Sequence, residues 1–486
     1  MKKRIISALL LSAIIASFAA CDNSSTDSQN GKNNDQVNES APAGIEAANY
    51  QMDFNIYAPD WGMYQRYFFS DDAGTDVMAR AIHDRELAVE EHLGVNIGHT
   101  INGDISDVRT KIAELVMTGD DTYQLFLTHC ISGLSAMITE NLLYDFNDLE
   151  HIDMTQKWWN QQALEALSVN GHVYYAISDY MLSDTNCIFF NKALIDEFDL
   201  EDPYQLVQNN EWTMDKMMEM MGAVTTDNGD GRWDHNDTWG LAAPDGWLSS
   251  GFTFSTGVDF VVKNSEGEFE FAFDNERAYE MIEKSEKIFT CADTYIFQSL
   301  WDKTNEERFA SETYLDISKG KSLFDLNNVA MLYLYRDTDV DFGILPYPKL
   351  DSEQENYTTN DWSGFMCIPK TVKNHEMVGK VIELLSYFSE DVRYAYYELM
   401  LGEKLTRDPD SKKMLDIIFD GVSYNAGLHY FGFDGSMNKI TFVHDTLFTA
   451  PSFNGNFSSF LGTYQPSAEA LIDDFNNTVN GINTNE

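Results

Sequence analysis

The chain has 486 residues, 43% of them hydrophobic, which is core enough for more than one compact domain and makes two lobes the expectation. Its 79 acidic residues against 32 basic ones give a formal net charge of −47. That balance excludes nucleic acid as a partner, because neutralising phosphates takes clustered Lys and Arg, and it makes anionic lipid headgroups repulsive.

The chain opens with Lys2, Lys3 and Arg4, an uncharged run from Ile5 to Phe18, and then Ala19, Ala20 and Cys21. Residues 1–20 read as a secretory signal, with an apolar run too short for a comfortable span. The cysteine directly after the small pair resembles a bacterial lipobox, although Phe18 stands where Leu is commonest. The expectation is a lipidated Cys21 as mature N-terminus; the alternative is an ordinary signal that contains a cysteine. Residues 21–49 are rich in Asn, Ser, Asp, Gln and Gly, cannot offset ordering entropy by burial, and are expected to form a disordered tether. A flexible linker of about 28 residues reaches on the order of 30 Å. The protein is thus expected on the extracellular face of the cell membrane, held there by its lipid alone. Cys130, Cys187, Cys291 and Cys367 are widely spaced and form no CxxC pair, so zinc and redox chemistry are disfavoured and buried free thiols are expected.

Past the tether the pattern alternates. Met52–Tyr57 reads as a strand, Asp76–Leu93 as a helix closed by Gly94, and Val95–Ile101 as a strand. Ile105–Met117 follows as helix, Tyr123–Thr128 as strand and Ile131–Asn141 as helix, a βαβα rhythm that implies a mostly parallel sheet. Farther on, Cys187–Phe190 and Val329–Leu334 read as strands, and Asp274–Phe289 and Glu376–Phe388 as helices. The Met-rich stretch after Trp212 has the spacing of a buried helix face. A last helix is expected to start near Pro466, a favourable first-turn residue.

Five segments then carry a resemblance. They are GTDVMARAIHDRELAVEEHLGVNI (Gly74–Ile97), LLYDFNDLEHIDMTQKWWNQQALEALSVNGHVYYAISD (Leu142–Asp179), IFFNKALIDEFDLEDPYQLVQNNEWTMDKM (Ile188–Met217), FGILPYPKLDSEQENYTT (Phe342–Thr359) and GFMCIPKTVKNHEMVGKVIELLSYFS (Gly364–Ser389). In this order they resemble the extracellular solute-binding proteins of family 1, which serve ABC importers, and a branch common in Gram-positive gut anaerobes. The resemblance implies an α/β, type II periplasmic-binding-protein fold: two discontinuous lobes joined by a hinge, with the ligand in the cleft between them. It implies a first lobe of residues 50–180 plus about 359–400, and a second of 181–358 plus about 401–486. It further implies no catalysis, no required cofactor, permease subunits as partners, a monomer, and a small ligand, a mono- or oligosaccharide before other solutes. The same fold acting as a peptide or other-solute receptor, or beside a sensor, is the alternative.

The 9 Trp and 24 Tyr suit sugar binding, since pyranose C–H faces stack on aromatic rings while carboxylates, amides and guanidinium groups bind hydroxyls. Position selects among them. Trp61 follows the first strand, Asp179 falls at the crossover, and Trp247 lies in a glycine-bracketed turn. Tyr335 and Arg336 follow the Val329–Leu334 strand, and Asp361 and Trp362 precede the return strand. His129, after the third strand, reads as a satisfied strand-end or core histidine, and Trp158 and Trp159 read as packing residues. Thr226–Asp237 resembles an EF-hand-like calcium loop, with Asn228, Asp230, Arg232, Asp234 and Asp237 at ligand positions. Thr226 in place of the first Asp, and Asp237 in place of the last Glu, depart from it; the alternative is an Asx/Gly turn. No GxSxG, HExxH or phosphate-binding glycine loop is present, and a glycosidase carboxylate pair has no signature among 79 acidic residues.

Overall fold

Strand β1 (Met52–Ala58) leads into helix Val77–Leu93, which returns to β2 (Val95–Ile101). The Asp76 side chain accepts from the Ala79 N–H to start that helix, and Gly94 ends it in the left-handed region at φ 61°. Strand β3 (Leu125–Thr128) completes a parallel set with β1 in the middle. The computed structural model describes residues 41–61, 68–70, 76–244, 246–298, 300, 303–335, 338–362, 364–397, 408–444 and 456–483, all within the unit Ala41–Glu486. The signal, Cys21 and Arg336 lie outside the described residues, as does the side chain of Trp247.

The second sheet begins with β4 (Asn186–Asn191) and β5 (Trp239–Pro244). A short hairpin, β6 (Val261–Lys263) and β7 (Phe269–Phe271), precedes β8 (Thr294–Phe297), β9 (Ser322–Asn328) and β10 (Phe342–Leu345). The order is β10-β4-β9-β5-β8, with β5 parallel to β8 and β9, and β4 antiparallel to β9 and β10. The chain then passes through β11 (Thr359–Asn360), and β12 (Phe365–Cys367) pairs antiparallel with β3, closing the first sheet as β12-β3-β1-β2. Strand β13 (Val422–Ser423) pairs with β11. One α/β sheet is therefore interrupted by the other: the chain crosses out of the first between β3 and β4 and back between β10 and β12, and helix Pro409–Asp420 packs again on β10.

Packing follows from composition. Helix Met214–Val224 buries Met214, Met217, Met220, Met221 and Val224, the face its spacing predicts. Trp212 is fully buried with its indole N–H on the Pro346 carbonyl at 2.9 Å. Trp158 and Trp159 do pack: both indole N–H groups donate to Glu383, at 3.1 and 3.0 Å. Cys130, Cys187 and Cys367 are buried free thiols, and Cys291 is half-buried.

Four expectations are corrected. The Ile105–Met117 helix is a 3-10 turn, Ile105–Asp107, followed by Val108–Thr118, because Asp104 and Asp107 cap one another in a box; the Ile131–Asn141 helix is likewise broken by left-handed Gly133. Val329–Leu334 is no strand: the strand is β9, and Val329–Tyr335 is a 3-10 helix. The Val329 N–H makes a last in-register bond to the Thr185 carbonyl, and the ladder stops there because the Ala330 N–H turns to the Asp184 carboxylate. The last helix runs Phe457–Asn483 with Pro466 inside it, since buried Phe457 and Leu461 extend its apolar stripe upstream.

Helix His375–Tyr387 passes so close to residue 150 that a Cβ on Gly379 would lie 1.9 Å from the Glu150 carbonyl oxygen. Gly379→Ala is expected to lower stability by about 1–3 kcal/mol, read as a fall in melting temperature, despite alanine's better helix propensity. An unchanged melt would mean that the helix does not seat there.

Candidate functional site

The two crossings run side by side. The Trp362 N–H donates to the Asp184 carbonyl at 2.8 Å and the Asp184 N–H to Asp361 Oδ1 at 3.1 Å. Two residues past Asp184, Asn186 Nδ2 donates to Asn360 Oδ1 at 3.0 Å. The Asp184 side chain, 4% exposed, accepts from the Ala330 N–H at 3.1 Å and from Asn328 Nδ2 at 2.7 Å. Burial pushes its carboxyl up to about 7; nearby Asp361 adds to the rise, and the two donors oppose it. Asp361 Oδ2 receives the Tyr424 hydroxyl at 3.2 Å, and Tyr424 in turn receives Asn160 Nδ2 at 3.1 Å.

Three strand ends converge on this junction. Trp61 follows β1, His129 follows β3 and Trp362 precedes β12. The Trp61 ring meets His129 edge-on at 5.1 Å, and His129 lies nearly parallel to Trp362 at 6.3 Å. Trp362, 5% exposed, donates its indole N–H to Asn186 Oδ1 at 3.0 Å. Burial pushes His129 down to about 4, and its Nδ1 accepts from the Ile131 N–H at 3.2 Å, so the ring is a neutral spacer between two tryptophans. Carboxyl ends of parallel strands facing a crossover are where α/β folds place ligands. Of the sequence candidates, Trp61, Asp361 and Trp362 come together here.

The others go elsewhere. Asp179 forms an ion pair with Arg393 at 2.6 Å. Tyr335 sits at the end of a 3-10 helix rather than after a strand, 3% exposed against Phe189, Phe309 and Phe342. It lines, with Arg308, Tyr314, Asp316, Asp325 and Asn327, a cavity of about 20 Å³ at the ends of β5, β8 and β9. Trp247 opens the 3-10 helix Trp247–Ser250 directly after β5.

The Thr226–Asp237 loop is held by its own side chains. Asp237 accepts from the Asn228 and Asp234 N–H groups at 2.9 and 2.6 Å, Asn228 from the Asp230 N–H at 3.0 Å, and Asp230 from the Arg232 N–H at 2.8 Å. Among the described residues no cluster of three His, Cys, Asp or Glu is placed to hold a metal.

Sequence reasoning set His129 aside and missed Asp184, Asn186, Asn328 and Tyr424. Asp184 and Asn186 carried one usable signal, a short polar run at the crossover; Asn328 and Tyr424 carried none, because their partners are 144 and 63 residues away.

With its folded carboxyl at about 7, Asp184 keeps its proton over a range in which the unfolded chain releases it. Its contribution to stability is therefore present at low pH and lost as pH rises from about 4 to about 7. Asp184→Asn removes that loss, so the melting temperature of the variant minus that of the wild type is expected to climb across this range. A difference constant with pH would contradict the buried carboxyl.

No family model matches the chain, and no curated protein matches its sequence. Solved structures do. The GacH receptor of Streptomyces glaucescens, solved unliganded and with acarbose, aligns at TM-score 0.56 and 12% identity over 86% of this chain and 98% of that one. The maltose-binding periplasmic protein MalE from Listeria monocytogenes, with maltose, aligns at TM-score 0.53 and 14% identity over 90% and 99%. An ABC transporter solute-binding protein from Thermotoga lettingae, bound with α-D-tagatose, aligns at TM-score 0.52 and 11% identity over 87% and 100%. At these identities the likeness is one of fold: this chain has the two-lobed α/β fold of the periplasmic solute-binding proteins.

Proposed function

We propose that this protein captures a mono- or oligosaccharide in the cleft between its lobes and delivers it to the permease of an ABC transporter. The observation that carries the reading is the aromatic set Trp61 and Trp362, gathered at strand ends beside amide and carboxylate groups, in a fold shared with proteins solved with acarbose, maltose and tagatose. Aromatic faces pack on sugar C–H faces, and the few convergent polar groups fix orientation. The first lobe would comprise residues 50–180 plus about 359–400, and the second 181–358 plus about 401–486, with the crossings as hinge. Cys21 would carry the lipid and residues 21–49 would span the gap to the membrane on the extracellular face. The trap needs no second copy.

Catalysis has little support. The two junction carboxylates, Asp184 and Asp361, are occupied by backbone N–H groups, Asn328 and the Tyr424 hydroxyl. The calcium reading of Thr226–Asp237 rests on its spacing; calorimetry with calcium chloride tests it, with heat lost in Asp237→Asn supporting it and no heat in the wild type removing it.

Thermal unfolding against maltose, maltotetraose, tagatose, amino acids, peptides and polyamines tests the cargo. A ligand at a thousand times its dissociation constant stabilises by about 4 kcal/mol, so one saccharide class is expected to raise the melt clearly. Trp61→Ala and Trp362→Ala are each expected to weaken that saccharide by about tenfold or more. A shift with peptides or polyamines alone would replace the sugar with another solute, and a sugar affinity untouched by both variants would move the site.

A further inference from the structure

The cavity at the ends of β5, β8 and β9 contains an acceptor that the fold does not use. Asp316, 1% exposed, caps the 3-10 turn Ile317–Lys319: its Oδ1 accepts from the Ser318 N–H at 3.0 Å and from the Ser318 hydroxyl. Its Oδ2 is buried and has no hydrogen-bond partner among the described residues, in a side chain that lines the cavity. The adjacent Asp325, also 1% exposed, is engaged: its Oδ2 accepts from the Ile317 N–H at 3.1 Å and from Asn327 Nδ2 at 3.5 Å. An unsatisfied buried carboxylate oxygen is costly, and a donor arriving from outside would relieve it.

The cavity adjoins the junction through Asn328. Asn328 on its wall holds Asp184 at 2.7 Å, and Asp184 is bonded directly to Asp361 and Trp362. Phe297, Phe309, Tyr314 and Tyr335 supply apolar walls. At about 20 Å³ the space takes a water-sized group rather than a ring. A hydroxyl fits both the size and the need for a donor; a carboxylate or phosphate would meet one guanidinium, Arg308, against the two aspartates Asp316 and Asp325.

We propose that Asp316 Oδ2 accepts a hydrogen bond from a hydroxyl of the captured ligand, which makes this cavity the second-lobe subsite for the neutral end of a saccharide. The proposal rests on the saccharide reading of the cleft.

The test is calorimetry on the full chain with maltose, maltotetraose, tagatose and acarbose, for the wild type, Asp316→Asn and Asp316→Ser. Both substitutions keep an oxygen to cap the turn while removing the free carboxylate oxygen, so one serves if the other fails to fold. For the sugar that binds the wild type, the expected result is affinity weakened by about tenfold or more, with a sugar-free melt unchanged or higher. A variant that melts normally and binds that sugar as tightly as the wild type overturns the proposal and leaves the cleft reading intact. If no saccharide binds the wild type, the cleft reading fails and takes this subsite with it.

Discussion

Two chain crossings bonded to one another are the constraint from which the rest of the architecture follows. Asp184 sits between them, giving its carbonyl to Trp362, its N–H to Asp361, and its carboxylate to Asn328 and Ala330. Those bonds end β9, turn the chain into the 3-10 helix Val329–Tyr335, and bring Trp362 under the ends of β1 and β3. A buried carboxylate is tolerated only where every donor is in place, so the junction has few alternative arrangements. If the crossings are the hinge we propose, they can bend at their backbone torsions without losing this register.

The junction also brings residues far apart in sequence to one place. Trp61 and His129 belong to the first sheet, while Asn186 and Asn328 belong to the second. Trp362 touches both sets, stacking near His129 and donating to Asn186. A ligand that engaged Trp61 and the wall of the second-lobe cavity together would gain contacts only when the two sheets approach. That differential contact is what allows binding to shift a conformational equilibrium.

Much of the first lobe was legible in the chain because its signals are local. Asp76 and Gly94 bracket a helix whose apolar stripe lies between them, and β1 and β2 alternate or run apolar as expected. The second lobe was harder. Val329–Leu334 is as apolar as a strand, but its first two N–H groups are claimed by residues 144 and 146 positions away, information no window contains. Pro466 looked like a start because proline suits a first turn, yet Phe457 and Leu461 had already found a core. Candidate site residues divided the same way. Trp61, Asp361 and Trp362 were readable as strand-end positions, whereas Tyr335 was tied to a strand that does not exist. Asp316 and Tyr424 take their places only in the folded chain, Asp316 in the lining of a cavity and Tyr424 against Asp361.

The central claim is that ligand draws the two lobes together about the Asp184 junction. Small-angle X-ray scattering on the chain, with and without a saccharide shown by calorimetry to saturate it, measures this directly. The account predicts a smaller radius of gyration in the saturated sample, reversed when the sugar is dialysed away. Saturation with no change in the radius of gyration would contradict a trap that closes on its cargo.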